Sequence, residues 1–117
     1  MHEVESATIE MVRERLRTFV AERGWQRFQT PKNLVMALAA ECGELVEQFQ
    51  WLEQEESRFL AGEKRAAVES EMADVFIYLL RLADELDVDL TRAAWAKMAR
   101  NEAKYPRESF KNKPPKP

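Results

Sequence analysis

The sequence predicts an all-α protein, an antiparallel helical bundle of about four helices. Its apolar residues recur at the three- and four-residue spacing of amphipathic helices, and no stretch of useful length alternates like a half-buried strand. Most of the three glycines and five prolines fall where the helical pattern stops. A chain of 117 residues fits one domain, and its 45% apolar residues supply material for a core, but a lone chain of this size is marginally stable, so we expect oligomerisation to complete the bundle.

The first predicted helix runs from about Glu5 to Glu22, and Gly24 ends it. Residues 24–30, with the sequence GWQRFQT, form a predicted loop that contains two aromatic residues. The second helix starts at Pro31, because threonine suits the N-cap position and proline suits the first helical position. It is predicted to continue to about Leu52, with an apolar stripe on one face. The stripe consists of Leu34, Leu38, Leu45, Phe49 and Leu52.

A polar connector, residues 53–62, separates the second helix from the third, which is predicted from about Glu63 to Leu86. Asp89 suits the N-cap of a fourth helix that reaches Lys104. Pro106 then stops the helical pattern. We therefore predict one domain over residues 1–106 and a mobile, lysine- and proline-rich tail over residues 107–117.

The composition excludes several function classes. Eighteen basic and 21 acidic residues nearly balance, so we expect no nucleic acid polymer as a partner. No apolar run approaches the roughly 20 residues that span a bilayer, so no membrane association is expected. Cys42 is the single cysteine, and the start of the chain is charged where a signal peptide is apolar. These features favour a cytoplasmic location.

Four carboxylates form the most informative pattern. Glu41 falls within the apolar stripe of the second helix, and Glu44 lies one turn further on. On the third helix, Glu71 and Asp74 are an i, i+3 pair that flanks the apolar stripe. If the two helices pack antiparallel, both pairs meet in the middle of the bundle, where their mutual repulsion favours a bound cation. An all-oxygen site suits Mg²⁺, with Mn²⁺ as a substitute.

Other interpretations of these acids exist. Acidic i, i+3 pairs are common on solvated helix surfaces, and one pair alone is weak support for a metal site. A di-iron bundle requires Glu-x-x-His motifs, but the only histidine is His2 at the terminus. Gly43 lies between the two glutamates of the second helix, where we expect it to allow close approach of a helix or ligand. Glu47 is interpreted as a structural partner for a basic residue.

The two blocks TPKNLVMALAAECGELVEQFQW and ESEMADVFIYLLRLADELDVDLTRAAWAKMARNEAKYP resemble the MazG-like all-α nucleotide pyrophosphohydrolases, and among these the dCTP pyrophosphatase branch. The resemblance rests on Glu-x-x-Glu followed by Glu-x-x-Asp, together with FQW and DVFIYL. It implies hydrolysis of a nucleoside triphosphate to a monophosphate and pyrophosphate, with Mg²⁺ held by the four acids. Glu41 and Glu44 are both candidates for the general base, and the choice between them stays open. The resemblance also implies that the protein forms a homo-oligomer, a tetramer or a dimer.

The same resemblance implies a set of substrate-binding residues. Trp25, Phe28, Gln29, Trp51 and Tyr78 match positions that contact the base and sugar. The alternative is that the tryptophans are ordinary core or interface residues.

Lys97 and Asn101 match the KMxxNxxKYP-like segment and suit phosphate oxygens. Two positions depart from the branch, since Leu16 and Gln29 stand where branch members carry histidine, which bears on the preference for dCTP.

Two other function classes stay open at this point. A helical module that binds nucleotides without hydrolysis predicts stabilisation by nucleotide with no product. A structural adaptor predicts that Glu44→Gln and Asp74→Asn are neutral or stabilising. House-cleaning of the nucleotide pool by hydrolysis is the leading hypothesis.

Overall fold

The computed structural model describes residues 6–115, and this part of the chain contains α-helices and two short 3-10 helices but no strand. The all-α prediction is confirmed, and four of the five described α-helices correspond to predicted ones. The α-helices are α1 (Ile9–Glu22), α2 (Pro31–Glu47), α3 (Gly62–Glu85), α4 (Leu90–Lys104) and α5 (Arg107–Phe110). The 3-10 helices are Gln26–Phe28 and Glu56–Arg58. His2 lies outside the described residues.

The starts of the helices follow from their capping residues. Thr30 accepts a hydrogen bond on Oγ1 from the backbone N–H of Asn33 at 3.2 Å, and Pro31 occupies the first turn of α2, as predicted. Thr8 caps α1 in the same way, so this helix begins at Ile9, later than predicted. The predicted first residue, Glu5, lies outside the described residues.

The second helix ends earlier than the prediction of Leu52. Its last regular residue is Glu47, and the backbone N–H groups of Gln48 and Phe49 reach carbonyls three residues back, at 3.1 and 2.9 Å. These contacts tighten the helix end into turns. The apolar spacing misled the prediction because a three-residue repeat suits consecutive turns as well as a helix. Trp51 therefore lies outside α2.

Two hydrogen bonds at opposite ends show that α2 and α3 are antiparallel. Lys64, at the start of α3, donates from Nζ to the backbone oxygen of Gln48 just beyond the end of α2, at 3.1 Å. Arg81, near the end of α3, donates from Nε to Oε1 of Gln29 just before α2, at 2.8 Å. The acidic pairs on both helices therefore lie at similar heights between these two contacts.

The core of these helices is small. Leu34 of α2 and Leu80 of α3 are each 1% exposed, and both helices also carry large apolar side chains on the surface. The other buried apolar residues are Val20, Val68 and Ala83. α1 packs on α3 and is held there by Arg13 and Arg17, which both contact Asp84.

The chain divides into two compact units between Asp87 and Val88. The first carries α1 to α3. In the second, the Asp89 carboxylate caps α4 by accepting from the N–H of Arg92 at 3.0 Å, as predicted. The one-turn helix α5 lies at the start of the predicted tail, and the proposed extents of the domain and of the mobile tail stay predictions. None of the helices in residues 6–115 is both long and apolar enough to cross a membrane.

Candidate functional site

An acidic cluster lies where the middles of α2 and α3 face each other. Glu41 and Glu44 come from α2 and Glu71 from α3, and one carboxylate oxygen of each lies within 4.8 Å of the others. The three-residue spacing places both α2 carboxylates on neighbouring positions of one helix face. The antiparallel arrangement then brings Glu71 opposite them. We call these three residues the acidic cluster.

The electrostatics of the acidic cluster are unfavourable without a positive charge. The Oε2 atoms of Glu41 and Glu71 are buried and make no hydrogen bond. Burial is the main reason that the pKa of each of these two carboxyls is raised, followed by a hydrogen bond with Glu44 and by the negative charges of Glu44 and Asp74. Three carboxylates within 4.8 Å of one another thus favour either protons or a cation.

The donor set fits a hard divalent cation. All of its atoms are carboxylate oxygens, the ligands preferred by Mg²⁺ and Mn²⁺. The two unpartnered Oε2 atoms are free to serve as ligands. Asp74, the fourth predicted ligand, is half-buried and close enough for its charge to raise the pKa of Glu41 and Glu71, but it is not among the three mutually closest groups. The structure thus gathers three predicted ligands and places the fourth beside them.

Two residues near the acidic cluster differ from their predicted roles. In the described part of the chain Glu47 makes no ion pair with a basic residue, and its charge instead raises the pKa of Glu71. It therefore extends the acidic surface by one turn, which the further i, i+3 spacing from Glu44 already signals. A Cβ added to Gly43 meets no atom of the described chain within 4 Å, so no other described helix of this chain approaches it closely, and the approach of a ligand or of a helix from another copy stays a prediction.

An aromatic cavity of about 320 Å³ lies beside the start of α2. Four of the five side chains predicted to contact base and sugar line it. They are Trp25, Phe28, Gln29 and Tyr78. Three further residues line the cavity and were not predicted. They are Asn33, Leu34 and Ala37, which follow one another at helical spacing on the face of α2 that also bears Glu41.

The loop before α2 has the conformation that presents these aromatic side chains. Gly24 has a φ of 63°, which reverses the chain and lets the N–H of Trp25 return to the carbonyl of Val20 at 3.1 Å. The ring of Trp25 then packs edge-on against Phe19 at 5.7 Å between centroids. The 3-10 turn that follows carries Phe28, which also lines the cavity.

A smaller cavity of about 170 Å³ shares lining residues with the aromatic cavity and is also lined by Asp74, the acid beside the acidic cluster. Asp74 and Tyr78, one helical turn apart on α3, both line it. Trp25 and Gln29 line both cavities. Leu16, which stands where the resembled branch carries histidine, also lines the smaller cavity and gives its wall an apolar side chain.

Three further predicted contacts belong to other parts of the chain. Trp51 follows the far end of α2, is 86% exposed, and does not line either cavity of its own chain. A helix of 17 residues is about 25 Å long, which separates Trp51 from the loop at the other end of α2. Lys97 and Asn101 are exposed on α4 in the second unit, at adjacent turns. Their phosphate-binding role stays a prediction.

A family model, curated proteins and a solved structure that resemble this chain all point to the same kind of protein. A model of the MazG-like family matches residues 36–113. The chain is 45% identical to dCTP pyrophosphatase 1 of Rattus norvegicus over 101 residues, which are 85% of this chain and 59% of that protein. It is 43% identical to the Homo sapiens protein of the same name, with the same coverage. The chain thus spans somewhat over half the length of these curated relatives. A solved pyrophosphatase from Archaeoglobus fulgidus superimposes with a TM-score of 0.76 at 40% identity, over 84% of this chain and 92% of that one.

Proposed function

The chain belongs to the MazG-like family, and from this premise we propose that it hydrolyses (deoxy)nucleoside triphosphates to a monophosphate and pyrophosphate. One observation carries the proposal. The acidic cluster and the aromatic cavity both border α3, where Asp74 and Tyr78 face the same small cavity. A nucleotide has the matching form, with a charged phosphate chain at one end and a flat base at the other. Cleaning of the nucleotide pool, with dCTP-like substrates favoured, is the role that fits this chemistry.

The acidic cluster is the proposed metal site. Glu41, Glu44 and Glu71 would hold Mg²⁺, or Mn²⁺ in its place, with Asp74 as the fourth ligand. A bound divalent cation supplies charge neutralisation for the triphosphate and lowers the pKa of a coordinated water. Glu44 is exposed and its carboxylate lies within 4.8 Å of both other carboxyls, which suits a group that accepts a proton from the attacking water. Glu41 is the other candidate for this role.

The aromatic cavity is the proposed site for the base and sugar. Trp25 and Phe28 supply faces on which a flat ring stacks, and Tyr78 lies on the side nearest Asp74. Tyr78 is therefore suited to pack against the sugar between base and phosphates. Packing at that position disfavours a 2′-hydroxyl and favours deoxynucleotides. Lys97 and Asn101 are retained as proposed phosphate contacts.

A homo-oligomer, a tetramer or a dimer, is part of the proposal. The first unit leaves large apolar side chains on its surface, including Met36 and Val46 of α2 and Met72 of α3, each more than half exposed. Such a surface is typical of a protein that associates. A cytoplasmic location agrees with an exposed free thiol at Cys42, since reducing conditions preserve it.

The proposed reaction is tested by incubating the protein with Mg²⁺ and dCTP, dUTP, dATP or CTP and identifying the products. We expect one pyrophosphate for each monophosphate formed, and no turnover when the metal is chelated. Release of orthophosphate, or the absence of turnover with every triphosphate, contradicts the proposal. Binding without any product supports a non-hydrolytic nucleotide-binding module instead.

Substitutions distinguish a metal site from a solvated acidic surface. Glu44→Gln and Asp74→Asn should each lower turnover at least about 100-fold, beyond the effect typical of an outer-shell partner. Without metal, Glu44→Gln should raise the thermal stability, because it removes a charge from a repelling cluster. Glu69→Gln is the matched control, since Glu69 is exposed on α3 and pairs with Arg65. Unchanged turnover in the first two variants contradicts the assignment.

A further inference from the structure

Arg81 is the charged side chain that the proposed reaction leaves unexplained. It is 4% exposed, near the end of α3, and lines the smaller cavity. A buried guanidinium requires partners, and two carboxylates neutralise it: Asp84 accepts from Nη1 at 3.0 Å, and Glu85 lies 3.4 Å from Nη2. The third partner, Gln29, accepts from Nε at 2.8 Å. Gln29 contributes no charge and comes from a loop 52 positions away, so its contact serves another purpose than neutralisation.

The bond from Arg81 determines which way the Gln29 amide points. A guanidinium has only donors, so the end of the amide that faces it must be the carbonyl oxygen. The Nε2 amino group is then the end that remains available. In the described part of the chain no acceptor takes its N–H groups, and Gln29 lines both cavities. The side chain therefore offers a hydrogen-bond donor, and not an acceptor, to a ligand in the aromatic cavity.

The amide of Asn33 is held the other way round from that of Gln29, with its oxygen available. Its Nδ2 donates to the backbone oxygen of Phe28 at 3.0 Å, and a carbonyl oxygen only accepts, so the Oδ1 atom of Asn33 is the free end. Asn33 lines the same aromatic cavity as Gln29. The cavity thus combines stacking surfaces from Trp25 and Phe28 with one oriented donor and one oriented acceptor. A donor and an acceptor in fixed positions can distinguish heteroaromatic rings by the hydrogen-bonding pattern of their edges.

We propose that Arg81 is a positioning residue that sets base selectivity, by holding the Gln29 amide with its N–H groups toward the cavity. The inference rests on the proposed function, because it assumes that the cavity receives the base. The favoured edge has an acceptor for Gln29 and an amino donor for Asn33. Cytosine has both in its N3 atom and 4-amino group, whereas the corresponding edge of uracil carries N3–H and O4, with donor and acceptor exchanged. Arg81 acts through Gln29 and does not itself touch the base.

The test compares dCTP with dUTP, which are of equal size and differ at this edge. We expect the wild-type protein to favour dCTP at least about 10-fold in kcat/KM, since unpaired polar groups in a recognition site are costly. Arg81→Lys keeps a positive charge beside Asp84 and Glu85, so the fold is retained, but it lacks the Nε–H that orients Gln29. This variant should lose most of the preference through a higher KM for dCTP, with kcat little changed. Arg65→Lys, at an exposed arginine on the same helix, is the control and should leave kcat/KM unchanged for both dCTP and dUTP.

A double variant separates positioning from a purely structural role. Gln29→Met should remove the preference by itself, and adding Arg81→Lys to it should have no further effect on the dCTP to dUTP ratio. If the two substitutions together lower the dCTP to dUTP ratio further than either does alone, the inference is overturned. It is also overturned if Arg81→Lys lowers kcat/KM equally for both substrates. A wild-type enzyme that hydrolyses both nucleotides equally well also overturns it, although the proposed function then stands.

Binding of the nucleosides deoxycytidine and deoxyuridine to the metal-free protein gives a readout that does not depend on hydrolysis. Tighter binding of deoxycytidine that disappears in Arg81→Lys supports the inference even if no triphosphate is turned over, in which case only the proposed reaction fails. Equal binding of the two nucleosides by the wild-type protein contradicts it.

Discussion

Asp84 is the residue through which α1 is held on α3, and its replacement by asparagine tests that connection. Its side chain is 9% exposed and receives hydrogen bonds from Arg13 at 3.3 Å, from Nε of Arg17 at 3.1 Å and from Arg81 at 3.0 Å. Asparagine at this position would keep the size of the side chain and one acceptor oxygen. The substitution therefore removes mainly the charge that three guanidinium groups share.

The size of the effect follows from the exposure of each partner. The buried contact with Arg81 belongs to the class of charged hydrogen bonds that contribute about 1.5–3 kcal/mol. The contacts with Arg13 and Arg17, which are 26% and 48% exposed, should add less because solvent screens them. We therefore expect Asp84→Asn to lower the free energy of unfolding by about 3 kcal/mol at pH 7. For a chain of this size that corresponds to a decrease in Tm of roughly 10–15 °C.

The lowered pKa of Asp84 determines how the stability difference between wild type and Asp84→Asn changes with pH. The hydrogen bond from Arg17 is the main cause that lowers the pKa of Asp84; burial opposes it, and the charges of Arg17, Arg13 and Arg81 add to the lowering. A carboxyl with a lowered pKa in the folded state stabilises the protein above its unfolded pKa of about 3.9 and loses this contribution as the pH falls through the folded value. The difference in stability between wild type and variant should therefore be full at about pH 5–8 and shrink below about pH 4.

Urea unfolding followed by circular dichroism at about pH 7, 5, 4 and 3 measures this difference. Asp87→Asn is the control, because Asp87 is exposed, forms none of the described ion pairs, and has a φ of 55° that asparagine tolerates. We expect the control to stay within about 0.5 kcal/mol of wild type. A difference below about 1 kcal/mol for Asp84→Asn at pH 7, or one that is constant down to pH 3, would refute the reasoning.

Two further substitutions test the packing of α2. Leu34→Ala should lower the free energy of unfolding by about 2–5 kcal/mol, because Leu34 is almost completely buried, and an effect below about 1 kcal/mol in urea unfolding would contradict its place in the core. Gly43→Ala should raise it by about 1 kcal/mol, because the added Cβ meets no atom of the described chain and alanine favours the helix. A lower Tm in that variant would instead indicate that a second copy of the chain packs against Gly43.

Much of the fold was predictable because its signals are local. The Thr30–Pro31 start of α2 and the Asp89 cap of α4 depend on side chains that bond to their own helix within three residues, so the sequence specifies them directly. The end of α2 was not predictable in the same way. Apolar spacing continues past Glu47 to Leu52, and the turns that replace the helix there keep nearly the same repeat.

The candidate site divides along the same line. Spacing along α2 and α3 indicated Glu41, Glu44 and Glu71 before any fold was known, because i, i+3 positions share a helix face. Asn33 and Ala37 were missed although they lie two turns and one turn before Glu41, since a single helix does not show which of its faces borders a cavity. Glu47 was misinterpreted because the carboxyl on which its charge acts, that of Glu71, comes from α3.

The sequence by itself determined the helices, the acidic residues and the family, since each follows from neighbouring residues or from an aligned motif. Only the tertiary structure showed that Arg81, a residue type usually found on the surface, is buried and bonds to Gln29. It also showed that Trp51 does not line the aromatic cavity of its own chain. The physical reason is that side-chain orientation and burial depend on partners that are distant along the chain. Gln29, the partner of Arg81 outside its own helix, is 52 residues away, and periodicity along a helix contains no information about such a contact.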